Sequence, residues 1–259
     1  MNDHENFALQ CQNEISQMSR DGQFLELSRK WFEAAHRLNY SYHFSWFGRP
    51  IIQYPQDIVA MQELIWSVKP DLIIETGIAH GGSLIFSASM LALLDLSEAI
   101  TVGRLLDPKS SSRKVLGVDI DIRAHNRAVI EAHPLAGYVR MIQGSSIHTA
   151  TIRQVKEFAA GYKRILVCLD SNHTHQHVLD ELSAYAPLVS VGSYCVVFDT
   201  VVEDLPKSMY PDRPWGPGNN PKTAVHAYLK DHPEFLNDTS IPAKLQLTVA
   251  PDGYLRRVR

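Results

Sequence analysis

Leu72-Ile73-Ile74-Glu75-Thr76-Gly77-Ile78-Ala79-His80-Gly81-Gly82-Ser83 decides the fold: a run of branched apolar residues breaks into a glycine-rich turn and passes into the apolar stretch SLIFSASMLALL. Continuous apolarity over so short a run suits a strand buried on both faces, and the stretch after the turn suits a helix. Four similar runs recur between helical stretches: KVLGVDI (114–120), YVRMIQG (138–144), RILVCLD (164–170) and YCVVFDT (194–200). Strands alternating with helices predict an α/β domain with a mostly parallel sheet and helices on both faces. The carboxyl-terminal KLQLTVAPDGYLRRVR (244–259) reads as two strands joined by Pro251-Asp252-Gly253, so the sheet is expected to end in an antiparallel hairpin.

Upstream, residues 5–38 place apolar side chains at helical spacing with a break at Asp21-Gly22, which predicts two amphipathic helices. The aromatic segment YSYHFSWFGRPIIQYPQD then reads as a connecting loop lying over another surface, and Asp57 as the cap of a helix that ends at Pro70. We therefore divide the chain into an N-terminal helical extension, 1–55, and a Rossmann-like domain, 56–259. The apolar stripes of the first two helices must be covered by the domain or by a second subunit, so a homo-oligomer is expected.

Of the 259 residues 45% are hydrophobic and 20% charged, with a net charge of −3, an ordinary globular composition. No basic run marks a nucleic-acid footprint. Cys11, Cys168 and Cys195 form no CxxC pair and read as reduced and structural. The start MNDHENFALQ lacks the character of a secretory signal and no run approaches the roughly 20 apolar residues of a membrane span, so a cytoplasmic protein without membrane partner is expected.

The chemistry concentrates at the strand ends. Glycines at a strand-to-helix turn let a ligand approach the backbone, and the helix start presents unpaired N–H groups. Ala79 stands where a dinucleotide fingerprint has its middle glycine, and Glu75 suits a cationic methionine moiety better than a pyrophosphate. A purely structural tight turn is the competing reading. Asp119, ending the second strand, is placed to accept hydrogen bonds from ribose hydroxyls, whereas Asp121 reads as a helix cap. Ser145, after the third strand, either borders an adenine ring or caps a helix.

In LDSNHTHQHVLDEL (169–182), Asp170 ends the fourth strand and His173 lies three residues on, within reach of the same edge. Imidazole titrates near neutrality, so His173 is the candidate general base and Asp170 its partner or a cation holder. A zinc set of Asp170, His173 and His177 is a second reading; His175 and His177 otherwise pack or face solvent. Asp199, ending the fifth strand, either joins Asp170 in holding a divalent ion or caps the next loop. The Pro/Gly-rich segment beyond it is expected to shape an acceptor pocket.

A Rossmann-like sheet closed by an antiparallel strand resembles the common methyltransferase fold. With WFGRPIIQYPQD, ETGIAHGGS, VLGVDID, LDSNHTHQHVLDEL, YCVVFDT and GPGNNPKTAVHAYLKDHPEF in one order, residues 45–258 resemble the cephalosporin hydroxylase family. That family is similar to S-adenosylmethionine-dependent O-methyltransferases acting on antibiotics and rhamnosyl sugars. The resemblance implies cofactor positions at Glu75, Gly77 and Ser83, a ribose position at Asp119 and an adenine position near Ser145. It also implies a metal ligand at Asp170 and a base at His173, since related macrolide sugar methyltransferases carry Asp-x-x-His there. Those enzymes usually carry two neighbouring acids at the fifth strand end, where this chain has Phe198 before Asp199. Glu203, Asp204 or Thr200 is then the candidate replacement ligand.

The expected activity is methyl transfer from S-adenosylmethionine to a hydroxyl of a sugar or small secondary metabolite, with Mg2+ on Asp170 and Asp199 as an optional partner. The rivals are an NAD(P)-dependent oxidoreductase and a noncatalytic cofactor-binding protein.

Overall fold

The computed structural model describes residues 2–259. Two helices lead, α1 (Asp3–Met18) and α2 (Gly22–Arg37), capped by the Asn2 and Asp21 side chains on the backbone N–H groups of Glu5 and Phe24. The aromatic segment after them is a short antiparallel hairpin rather than a plain loop: β1 (Phe44–Trp46) and β2 (Arg49–Ile51) turn at Phe47-Gly48, both with positive φ. Next come α3 (Pro55–Val68), β3 (Leu72–Thr76), α4 (Gly82–Val102), β4 (Lys114–Asp119), α5 (Ala124–Glu131) and β5 (Val139–Gln143). The chain continues through α6 (Thr149–Ala159), β6 (Ile165–Leu169), α7 (His175–Tyr185), β7 (Tyr194–Val197), α8 (Pro221–Asp231), β8 (Phe235–Asn237), α9 (Ser240–Leu245) and β9 (Tyr254–Arg257).

Among the described residues seven strands pair in the order β5-β4-β3-β6-β7-β9-β8, parallel from β5 to β7 and antiparallel at β9 and β8. Strand alternation divides the core in two. Ile73, Val115, Leu166, Cys168, Val196 and Phe198 face α3, α4 and α5, while Leu72, Ile74, Leu116, Val167, Cys195 and Val197 face α6, α7 and α8. Phe32 and Ala35 of α2 join the first of these cores, whereas α1 buries no residue.

Three local expectations are corrected. The terminal hairpin exists, but its first arm is β8, not residues 244–250. The stretch KLQLTV ends α9 and then runs irregularly: Asp57 takes the Val249 N–H, a donor a strand would need free to pair, and also holds the Thr248 hydroxyl. Asp57 accordingly is no cap: Pro55 starts α3, and the Asp57 carboxylate is buried under the C-terminal segment, also accepting from the Tyr254 hydroxyl at 3.1 Å. Finally, α4 is long and apolar enough to cross a membrane by length and composition, with mean hydropathy 1.6 over its best window, of which 56% is buried. Its buried share packs on β4 and α3, while Leu93, Leu96, Ile100 and Val102 stay exposed.

Candidate active site

β3, β4, β6 and β7 all end at one edge, and there Gly77, Asp119, Asp170 and Asp199 line a single cleft of about 410 Å³, a size suited to a small molecule. Chain tightness at its floor is enforced by glycine. Gly77 has φ +86, and a Cβ on it would overlap the Asp170 carbonyl, so the β3 and β6 ends can approach only with glycine there. The turn then runs through Ile78, Ala79 at φ +45 and His80, all lining the cleft, into Gly82 and Ser83 at the start of α4. Asp119 accepts the Ile78 N–H at 2.8 Å and the Asp121 N–H at 3.0 Å, so it shapes the turn while still lining the cleft. Asp121 is not a cap; Arg123 precedes α5.

Glu75 does not line this cleft. Strand alternation points it to the same side of the sheet as Ile73, where it takes a hydrogen bond from Ser83 Oγ and borders a small inner cavity with Asp57, Cys168, Phe198 and Asp170. Ser83, Gln53 and Asp170 line both spaces, so Glu75 reaches the cleft through them. Burial pushes the Glu75 carboxyl up to about 8, with the Asp119 charge adding and the Ser83 hydrogen bond opposing. Burial likewise raises Asp57 to about 6 against three hydrogen bonds. Asp170 is held well above the usual carboxylate range by desolvation, then by the charges of Asp199, Glu75, Glu181 and Asp57. Its side-chain partner Gln53 is weak, Nε2 lying 3.5 Å from Oδ2, and the Gln53 Oε1, buried, has no partner.

His173 Nδ1 lies 3.3 Å from Asp199 Oδ2, and Asp170, His173 and Asp199 place ligand atoms within 4.8 Å of one another. His177 is elsewhere: its Nε2 meets Ser146 Oγ at 3.0 Å and Ser171 Oγ at 3.2 Å, so the Asp170–His173–His177 set is not assembled. His175 packs on Thr223 of α8. The three replacement ligands are engaged away from the group: Thr200 donates to the Pro251 carbonyl, Glu203 accepts from Gly218 and Asn220, and Asp204 pairs with Lys222 at 2.6 Å. Ser145 lies outside the cleft wall, its carbonyl accepting from His148 N in a turn.

The opposite rim was not foreseen. His36, Asn39, Ser41 and Tyr42, from the end of α2 and the turn after it, face Tyr210, Arg213 and Trp215 of the segment after β7. His36 and Tyr210 rings approach to 5.8 Å across the rim, and Trp215 sets its ring edge-on to His173 at 4.8 Å with Arg213 over its face at 5.2 Å. The segment after β7 was expected to shape the pocket; the N-terminal contribution had as its signal the polar and aromatic residues that interrupt the apolar stripe at 36–42.

The rhamnosyl O-methyltransferase/CmcI family profile matches residues 38–258. The chain belongs to this family. It is 30% identical to the rhamnosyl O-methyltransferase of Mycobacterium tuberculosis over 204 residues, 78% of this chain and 73% of that one. To the Mycobacterium leprae rhamnosyl O-methyltransferase it is 28% identical over 216 residues, 82% of each. In fold it is similar to CmcI with magnesium and SAM, at TM-score 0.54 and 17% identity over 84% of this chain and 78% of that one. A Bacillus cereus O-methyltransferase in complex with SAH is similar at TM-score 0.52 and 16% identity over 91% of this chain and 90% of that one.

This is thus an O-methyltransferase, and the nicotinamide oxidoreductase reading falls away. Membership makes the donor set of the cleft worth testing against a divalent ion. Two carboxylates and an imidazole converge, and Asp170 is an acid pushed up by burial and then by other acids, a state that a cation relieves. The donor set of Asp170, His173 and Asp199 fits a cation, and residue 198, a phenylalanine facing the inner cavity, takes no part in it.

Proposed function

We propose that this O-methyltransferase takes the methyl group of S-adenosylmethionine and places it on a hydroxyl of a sugar or sugar-bearing small molecule. One observation carries the reading: the glycine turn with Asp119 and the Asp170–His173–Asp199 group share one cleft. The donor lies along the turn from Ser83 to Asp119, with the acids of the inner cavity behind its cationic end. The acceptor enters between the N-terminal rim and Trp215. Asp199 orients the His173 ring through Nδ1, leaving Nε2 to take the acceptor proton as the oxygen attacks the methyl carbon in line. A divalent ion held by Asp170 and Asp199 would make the acceptor hydroxyl more acidic. The sugar class of acceptor is supported by the names of the mycobacterial relatives and by a rim of hydroxyl, amide and aromatic side chains. We also infer self-association through the exposed Phe7, Leu27 and Trp31 of α1 and α2.

Calorimetric titration of S-adenosylmethionine and of NAD tests the reading, followed by transfer of labelled methyl to rhamnosyl acceptors. Binding of the methyl donor that is lost in Asp119→Ala, with label reaching a sugar hydroxyl, is the expected result. Binding without turnover on any acceptor would favour a noncatalytic role, and binding of NAD alone would remove the proposal.

A further inference from the structure

We propose that Arg49 is a positioning residue for the methyl donor, acting from outside the cleft by holding the donor turn in its working shape. The inference rests on the donor reading above. Arg49 opens β2, and its Nε donates to the His80 carbonyl at 2.9 Å while Nη2 donates both to that oxygen and to Asn126 Oδ1, the latter at 3.0 Å. Asn126, buried on α5, donates Nδ2 to the Ala79 carbonyl at 3.0 Å. Two consecutive carbonyls of the turn are therefore pinned on the side away from the ligand. The fork geometry is one that a guanidinium supplies and an ammonium does not.

The turn needs such a restraint. Ala79 holds φ +45, a region an L residue rarely takes unaided. Its neighbour Ile78 gives its N–H to Asp119, so the shape of the turn and the aim of the Asp119 carboxylate are one variable. The hairpin that carries Arg49 is itself fastened to α4, because the Pro50 carbonyl occupies the space a Cβ on Gly82 would fill. The residues on either side of the hairpin, Ser41 and Tyr42 before it and Ile52 and Gln53 after it, line the cleft. The segment that forms the acceptor rim thus also sets the donor turn, and Arg49 is the connection.

The test is calorimetric titration of S-adenosylmethionine into the full chain and its variants, with thermal unfolding recorded on each. Arg49→Met is expected to raise Kd for the donor by about tenfold or more, since the charge-assisted bonds to the His80 carbonyl and to Asn126, which holds the Ala79 carbonyl, are lost. Arg49→Lys, which keeps the charge and loses the fork, is expected to fall between. Adding Ala79→Gly to Arg49→Met is expected to restore part of the affinity, because glycine takes positive φ without the restraint. A merely structural Arg49 predicts no such rescue. Wild-type affinity in Arg49→Met, or a double variant no tighter than the single one, would overturn the proposal. A wild-type protein that fails to bind S-adenosylmethionine would overturn the donor reading itself, and this inference with it.

Discussion

Glu75→Gln is expected to stabilise the ligand-free protein at neutral pH while weakening its hold on the methyl donor. Burial raises the Glu75 carboxyl from 4.5 to about 8. At pH 7 the folded chain keeps that proton, whereas the unfolded chain has released it, so folding carries a cost of about 3 kcal/mol from this one group. The sign follows from proton counting. A folded state that binds more protons than the unfolded state loses stability as pH rises, here between 4.5 and about 8, after which the effect is flat. Glutamine keeps an oxygen for the Ser83 hydroxyl and has no proton to lose. Urea unfolding of both proteins at pH 5 and pH 7, without donor, should therefore give a variant more stable by about 3 kcal/mol at pH 7 and by less than about 1 kcal/mol at pH 5. Binding is expected to move the other way: a cationic donor draws the proton off Glu75, so titrations in buffers of different ionisation enthalpy should show proton release by wild type that the variant lacks in part. Parallel stability–pH curves for the two proteins would refute the argument, because burial would then not be raising the Glu75 carboxyl.

Two further outcomes follow from the cleft. His173→Ala should lower kcat by about 10² to 10⁴ with donor affinity little changed, and a pH–rate profile unchanged by the substitution would count against the base assignment. Gly77→Ala should destabilise the fold by about 3 kcal/mol or more, since the new Cβ meets the Asp170 backbone at a positive φ; an unchanged denaturation midpoint would show that the β3 and β6 ends do not need that approach.

The parallel strands were legible because strands buried on both faces are continuous apolar runs, and Asp119, Asp170 and Asp199 fell at or just after strand ends, where open sheets gather ligands. Glu75 was legible as an acid beside the turn, while its side was not read: counting by twos from Ile73 turns it toward α4 and the inner cavity. Residues 244–250 have strand-like alternation, but the competitor for their backbone, Asp57, lies some 190 residues away in the chain, and local pattern is blind to it. His36 and Arg49 were missed for the same reason. Their roles come from contacts with Tyr210, His80 and Asn126, and nothing in their neighbours' spacing announces those partners.

Phe198 bears on the charge balance of the inner cavity. β7 alternation sends it, with Tyr194 and Val196, to the side of the sheet that holds Glu75 and Asp57, and it borders the inner cavity beside Asp170. A carboxylate in its place would be a fourth acid in a space whose three acids are already pushed upward, first by burial and then by neighbouring carboxylates. With phenylalanine there, the relief of that repulsion falls to whatever cation enters the cleft, and the methyl donor is itself a cation through its sulfonium and ammonium. Transfer removes the sulfonium charge, so the same acids that favour the donor lose part of their attraction for the demethylated product at the moment the reaction is complete.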